Sequence, residues 1–322
     1  MSEIISTELF DRALIEPLRQ GADKLCVVSG YATATMVLRH VEFALAMTPR
    51  KKFSIDLIVG MAVQDGLEKR NHNTFVDLQT DRYDIDFNCS YVVGRPPVHS
   101  KLYTWLQGSR PVSAFAGSAN YTQNAFSPSM KEILTAINPA HSFDYFNQIK
   151  GEVQNCSSEN IGEFINFYDR KIITIVENDD PDQNTHDLQS VTLSLLSART
   201  GETPTRSGIN WGQRPEEGRE PNQAYINIPA AIGRSGFFPE RGQVFTIETD
   251  DGKQLICRRG QDDGKGLQTT LNNSHMGEYL RFRLGVANGA YVTKADLLRY
   301  GRTDVTIYKT DEETYYMDFA VR

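Results

Sequence analysis

The sequence predicts two domains of different class: an α/β domain, a mixed sheet flanked by helices, followed by an all-β domain built as a small barrel. Three observations carry this. Before residue 170, apolar runs of strand length alternate with stretches of helical periodicity, the pattern of a largely buried sheet with helices on its faces. After residue 190, short β-branched and aromatic runs recur, divided by Gly and Pro. Between them, residues 177–190 are polar, acidic and broken by Pro181, the composition of an interdomain linker. The expected boundaries are 1–176, 177–190 and 191–322, and a chain of 322 residues is long enough for two cores.

The first domain opens with a helix over 7–20, where Leu9, Phe10, Ala13, Leu14 and Leu18 keep near-helical spacing behind Ser6 and Thr7 as caps. A strand over 24–29 runs into Gly30-Tyr31 and a helix to about Ala46. A strand follows over 53–59, then a helix over 66–79, and strands over 83–88 and 91–93. Ser29 and Tyr31 stand at the C-terminal end of a strand, where sites in such sheets gather. Helices are expected over 141–153 and 161–176. His72 lies in a polar run that reads as a solvated helix face, His40 and His141 read as surface or cap residues, and His186 falls in the linker.

In the second domain, strands are expected over 191–196, 225–228, 243–248, 254–258, 305–309 and 313–321, with Asp250-Asp251-Gly252 turning a hairpin. Residues 294–300 form the one helix expected there.

Composition narrows the function classes. No apolar run reaches about 18 residues and the N-terminus is acidic, so neither a membrane span nor a signal peptide is expected, and a cytoplasmic location is the default expectation. Cys26, Cys89, Cys156 and Cys257 are scattered, which argues for buried thiols over a zinc site or disulfides. No Gly-x-x-x-x-Gly-Lys-Ser/Thr loop is present, so nucleotide hydrolysis needs another polypeptide. The formal net charge is −7, so any DNA-binding surface must be a local patch. Of the 17 basic residues after residue 180, 13 are arginine, the residue suited to bidentate contacts with phosphate and guanine.

The chemistry concentrates between Val98 and Ile137, where three strands are expected. On a strand, residues two apart share a face, so His99 and Lys101 aim at one spot. Imidazole can attack phosphorus or protonate a leaving oxygen, and an ammonium neutralises the equatorial oxygens. Gly117-Ser118-Ala119-Asn120 ends the next strand with two neutral donors, and Glu132 opens the one after, placed to hold an imidazole N–H.

Two loops of the second half carry side chains that read base edges. One runs over 206–219 and holds Arg206, Asn210, Trp211, Gln213, Arg214 and Arg219. The other runs over 268–283 and holds Asn272, Asn273, Ser274, His275 and Arg281.

His99-x-Lys101 followed by Gly-Ser-x-Asn resembles the phospholipase D superfamily. The commonest signature there has Asp five residues after the lysine, where this chain has Leu106. Asn120 with Glu132 downstream is instead similar to the restriction endonucleases of the NgoFVII/NgoAVII type, related to BfiI. In the second half, Asn210-Trp211-Gly212-Gln213-Arg214, Gly236-Phe237-Phe238-Pro239 and Tyr300-Gly301-Arg302-Thr303-Asp304 resemble the B3-like DNA-recognition pseudobarrel of the same type. The resemblance implies a phospholipase D-like nuclease domain and a B3-like domain whose two arms grip double-stranded DNA. It implies cleavage without a metal or other cofactor, through a phosphohistidine at His99, with Lys101, Asn120, Glu132 and Ser118 as further catalytic residues. One His-x-Lys per chain implies a homodimer sharing the site, and relatives imply a separate helicase-like ATPase that brings the need for ATP. A DNA-binding protein with an idle nuclease domain, or another phosphodiesterase of the superfamily, is the alternative.

Overall fold

The computed structural model describes residues 4–47, 53–80, 85–128, 130–168, 190–270, 272–310 and 313–321. The chain divides into two compact units, Met1–Lys171 and Ile172–Arg322. The expected linker, apart from residue 190, lies outside the described residues, as do His186 and the part of the expected 161–176 helix beyond 168.

The first unit is built on one sheet, eight-stranded among the described residues. Its order is Ile4–Ile5, Leu134–Ala136, Arg110–Gly117, Leu102–Gln107, Lys24–Ser29, Ser54–Val59, Asp86–Val92 and Val153–Asn155. Lys24–Ser29, Ser54–Val59 and Asp86–Val92 run parallel, and Leu102–Gln107 joins antiparallel to the first of them. Alternate residues of the central strands point to opposite faces. Leu25 and Val27 enter the larger core with the helix Ala34–Met47, while Cys26 and Val28 meet Phe146 and Ile149 of the helix Pro139–Lys150. Both faces are covered, which is why these strands read as continuous apolar runs and not as alternation.

Several expectations change. The two strands expected near 83–93 form one, Asp86–Val92. Residues 161–163 are a single 3-10 turn and Phe167–Tyr168 pair parallel with Leu67–Glu68, so the described part of 161–176 is not an extended helix. His72 is half-buried, its Nδ1 3.0 Å from the Tyr91 hydroxyl and its ring 4.2 Å from that of Phe167, not on a solvated face. His40 is fully buried, not at the surface. Its Nε2 lies 3.0 Å from the Leu14 carbonyl, which only accepts, so the ring proton sits there and Nδ1 accepts from the Tyr121 hydroxyl at 2.8 Å.

The second unit holds a sheet with seven strands among the described residues, in the order Ser190–Ser194, Asp304–Lys309, Thr314–Asp318, Val244–Thr249, Gln254–Gly260, Gly266–Thr269 and Ile226–Asn227. The two end strands touch, so the sheet is a nearly closed barrel around Leu193, Phe245, Ile247, Leu267, Val305 and Met317. The expected helix Lys294–Tyr300 is present, with Thr293 and Asp296 forming a capping box. Two further helices were not expected, Ala230–Arg234 and Ser274–Leu284. The longer one buries Met276, Tyr279, Leu280 and Leu284, a regular apolar face masked in the sequence by Gly277. A Cβ at Gly277 would stand 1.8 Å from the Asn222 carbonyl oxygen, so tertiary contact demands the glycine that helix propensity disfavours. All four cysteines are free and buried, as expected.

Burial lowers His40 from an ordinary 6.5 to about 4. Above pH 6.5 the imidazole is neutral whether the chain is folded or not. Between 6.5 and about 4 the unfolded chain takes up a proton that the folded one refuses, so stability falls by about 3 kcal/mol as pH drops through that window. Denaturant titrations followed by Trp105, whose ring centroid is 5.9 Å from that of His40, read this unit. Replacing His40 by Gln should flatten the acid limb; an equal pH slope in the variant would show that the limb comes from other groups.

Candidate active site

Register gathers the candidate residues. Leu102 pairs with Val28, so the segment leading into Leu102 lies beyond the C-terminal end of Lys24–Ser29. Ala116 pairs with Leu102 and Leu134 with Gly117, which carries Ser118, Asn120 and Glu132 to the same end. Sites in open sheets form where parallel strands end and the topology changes direction, as it does here.

His99 and Lys101 are not within a strand as expected. They lie in the extended run just before Leu102–Gln107, which leaves the ladder to cross Gly60. Val98 donates its N–H to the Gly60 carbonyl at 3.3 Å, and a Cβ on Gly60 would stand 1.8 Å from the Val98 carbonyl oxygen. The two side chains still meet. Lys101 Nζ is 3.0 Å from His99 Nδ1, 3.1 Å from Nε2, and donates to the His99 carbonyl at 2.7 Å. His99 is exposed while Lys101 is buried. Burial presses the Lys101 ammonium below its ordinary pKa, and the charge of Glu132 works against that shift.

Asn120 is oriented by its neighbours. The Tyr31 N–H donates to Oδ1 at 3.1 Å, and a backbone N–H can face only the oxygen, so Nδ2 is turned away as a donor. Ser29 holds both flanking segments: its hydroxyl donates to the Tyr31 carbonyl at 2.6 Å and accepts from the Tyr121 N–H at 2.9 Å. Glu132 accepts from the Ser118 hydroxyl, which in turn accepts from the Ile133 N–H at 3.1 Å. The carboxylate is therefore engaged by Ser118, and among the described residues no carboxylate is hydrogen-bonded to the His99 ring. The expectation that Glu132 holds the imidazole is corrected on this point.

Three neighbours were given little or no weight in the sequence. Gly30 lies under the imidazole: a Cβ there would stand 2.8 Å from His99 Cδ2 and 3.5 Å from Asn120 Oδ1. Tyr31 packs its ring edge-to-face with His99, centroids 5.7 Å apart, and donates its hydroxyl to Asp65 at 2.6 Å. Only the strand-end position of Ser29 and Tyr31 gave a signal; nothing in the sequence singled out Asp65. An exposed imidazole beside a lysine and an outward amide offers one nucleophile or proton carrier and two donors to a phosphoryl group. Among the described residues no three His, Cys, Asp or Glu side chains converge as metal ligands would.

The second unit departs from its expected arms. Asn210 is fully buried and donates to the Pro204 and Val292 carbonyls at 3.0 and 2.8 Å. Arg281 is fully buried on the Ala290, Gly277 and Pro221 carbonyls. Ser274 is buried on Glu220, Asn273 accepts from Gln268 at 3.0 Å, and Gln213 donates to the Pro221 and Gly289 carbonyls. Trp211 lies between Tyr225 and the Arg219 guanidinium. Arg206 pairs with Glu216 and Glu217, and Arg214 and Arg219 with Glu217. Arg219 and Arg214 hold the Glu217 carboxyl down to about 2. These groups build the loop, and 274–284 is a helix, because each polar atom in these turns needs a partner once the backbone packs down. Of the second set, Asn272 and His275 remain exposed.

Free positive charge lies elsewhere in the unit. Arg259 donates to the Gly264 and Pro239 carbonyls, and its own carbonyl accepts from the Gly242 N–H. A Cβ on Gly233 would stand 3.1 Å from its Nη2, so the segments bearing Arg234, Arg241, Arg258 and Lys265 gather around it. Those four side chains are exposed, and among the described residues none pairs with a carboxylate.

Residues 7–163 match the family model of the NgoFVII restriction endonuclease N-terminal PLD domain, and residues 183–311 that of the NgoFVII C-terminal B3-like DNA-binding domain. No curated protein matches the chain. Among solved structures, NucT from Helicobacter pylori is similar over 48% of this chain and 98% of its own, at 13% identity and a TM-score of 0.34. A phospholipase D family member, Nuc from Salmonella typhimurium, is similar over 48% and 97%, at 11% identity and a TM-score of 0.33.

A Gly30→Ala chain should stay folded, since its new methyl meets the free end of a side chain and not backbone, at a cost within about 1 kcal/mol. The His99 imidazole should move instead, shifting its proton NMR resonances while those of buried His40 hold. Unmoved His99 resonances would mean that Gly30 does not set the ring's place.

Proposed function

Because the chain belongs to the NgoFVII restriction endonuclease family, with a phospholipase D-like domain before a B3-like DNA-binding domain, we propose that it is a sequence-specific endonuclease that cuts double-stranded DNA through a phosphohistidine without a metal ion. The observation that carries this reading is the contact of an exposed His99 with Lys101, beside the outward amide of Asn120. In the first step a His99 ring nitrogen attacks phosphorus, the P–O bond to one DNA end breaks, and the departing oxygen takes a proton from a second imidazole. In the second step that imidazole, now neutral, takes a proton from water as the water oxygen attacks phosphorus and frees His99. Lys101 and Asn120 stabilise the charge on the non-bridging oxygens. Glu132 acts on this centre through Ser118 and through its charge beside Lys101.

The chain has one His-x-Lys, so the second imidazole belongs to another copy and the enzyme is a homodimer about a twofold axis. Exposed Ile133 and Met130 flank Glu132 and supply apolar surface for that contact. The DNA backbone lies on the cationic cluster of Arg234, Arg241, Arg258 and Lys265, with Asn272 and His275 also open to it. A helicase-like ATPase is the proposed further partner.

Wild-type chain should cut DNA in EDTA, and His99→Ala should lose about a thousandfold or more of that activity. A metal requirement, or an undiminished variant, sinks the mechanism; full-rate cutting by pure protein without ATP removes the ATPase. For the second unit, Arg258→Ala and Lys265→Ala should each weaken binding to every DNA sequence alike and lower the salt slope by about 1. Arg206→Ala, already neutralised by Glu216 and Glu217, should change it little. Anisotropy titrations over a salt series decide, and the reverse ranking would move the DNA back to the 206–219 loop.

A further inference from the structure

We infer that Tyr31 is a positioning residue for the imidazole of His99, anchored in turn by Asp65. The inference rests on the nuclease reading for its kinetic consequence but not for its structural one. An in-line attack needs the ring nitrogen aimed along the breaking P–O bond, and small misplacements of a reacting group are costly. In many histidine sites a carboxylate holds the second ring nitrogen. Here Glu132 is engaged by Ser118, so the aim of His99 depends on what else touches the ring. Those contacts are Lys101, the bare Cα of Gly30 and the Tyr31 ring.

Tyr31 is unusually constrained for a side chain 42% exposed. Its N–H fixes the Asn120 amide, its carbonyl accepts from Ser29, its ring packs at 80° to the imidazole, and its hydroxyl is tied to Asp65. One residue thus places both the ring of His99 and the donor face of Asn120. A phenol in open solvent has water as a partner at no cost in side-chain freedom; the 2.6 Å bond to Asp65 instead locks the ring against His99. That bond also holds the hydroxyl pKa above its ordinary value, so the phenol keeps its proton and acts by placement, not by proton transfer. Asp65 suits the task because it closes the short helix Ala62–Asp65, which follows directly on the strand Ser54–Val59 and the close approach at Gly60.

The experiment uses the full chain with nitrogen-15 in its histidine rings, the His99 signals being those lost in His99→Gln. Tyr31→Leu should shift the His99 ring nitrogens and lower kcat about tenfold to a hundredfold at nearly constant KM. Tyr31→Phe and Asp65→Ala, which lack the anchor but keep the tyrosine backbone contacts, should fall less and by similar amounts. Asp65→Asn, which still offers an oxygen, should stay close to wild type. Unmoved His99 signals in Tyr31→Leu overturn the proposal, as does a loss confined to KM, which would make Tyr31 a contact of the DNA. If the wild type cuts nothing yet the His99 signals respond, the nuclease reading fails and the positioning role stands.

Discussion

The antiparallel pairing of Leu102–Gln107 with Lys24–Ser29 is the constraint on which the first unit depends. A parallel neighbour would enter its strand at the far end of the sheet, a full strand length from Ser29. Running antiparallel, the chain enters beside Ser29, so the residues that precede the strand meet those that follow Lys24–Ser29. The next two pairings repeat the reversal and bring Gly117–Asn120 and Glu132 to the same rim. Strand register thus brings five polar side chains from three segments together before any contact between them is counted.

That placement is held from below by buried polar groups that are all satisfied. Ser29 is fully buried and bridges the strand end to Tyr121. Tyr121 donates to His40, and His40 donates to the Leu14 carbonyl on the first helix. Such a chain is costly when one member is lost and rigid when complete, because each group has exchanged water for fixed protein partners. The support reaches Asn120 through its neighbour Tyr121, so the amide's direction is linked to groups deep in the core. Gly60 serves the other side of the site, where only a missing Cβ lets the Val98 backbone pass close enough to present His99.

Much of this was legible in the sequence. Apolar periodicity located the central strands and the helix Ala34–Met47 to within a residue or two, because both faces of the sheet are covered and the pattern is strong. The linear spacing of His99, Lys101, Ser118, Asn120 and Glu132, together with the family resemblance it carries, pointed to their meeting. What spacing cannot carry is which partner each side chain takes. Glu132 and Ser118 are fourteen apart in sequence and bond to each other, and Asp65 reaches Tyr31 across thirty-four residues. His40 read as a surface or cap residue, yet Phe53, Trp105 and Tyr121 close over it. Asn210 and Arg281 have the chemistry of base readers, but residue type does not distinguish a side chain reaching outward from one turned in to satisfy carbonyls.

The same distinction resolves how an acidic chain can present a surface to a polyanion. Net charge acts over distances that salt screens within about 10 Å, so contact with phosphate depends on local charge. In the 206–219 loop, three arginines face Glu216 and Glu217, and two of their three charges are offset within that distance. Around Arg259, the exposed Arg234, Arg241, Arg258 and Lys265 form no ion pair among the described residues, and the hub arginine is held by neutral carbonyls. An arginine satisfied by carbonyls contributes structure without removing the field of its neighbours. Thus the arginine-rich composition of the second half splits into residues that fasten loops and residues whose field extends into solvent, and only the latter can release counterions from DNA.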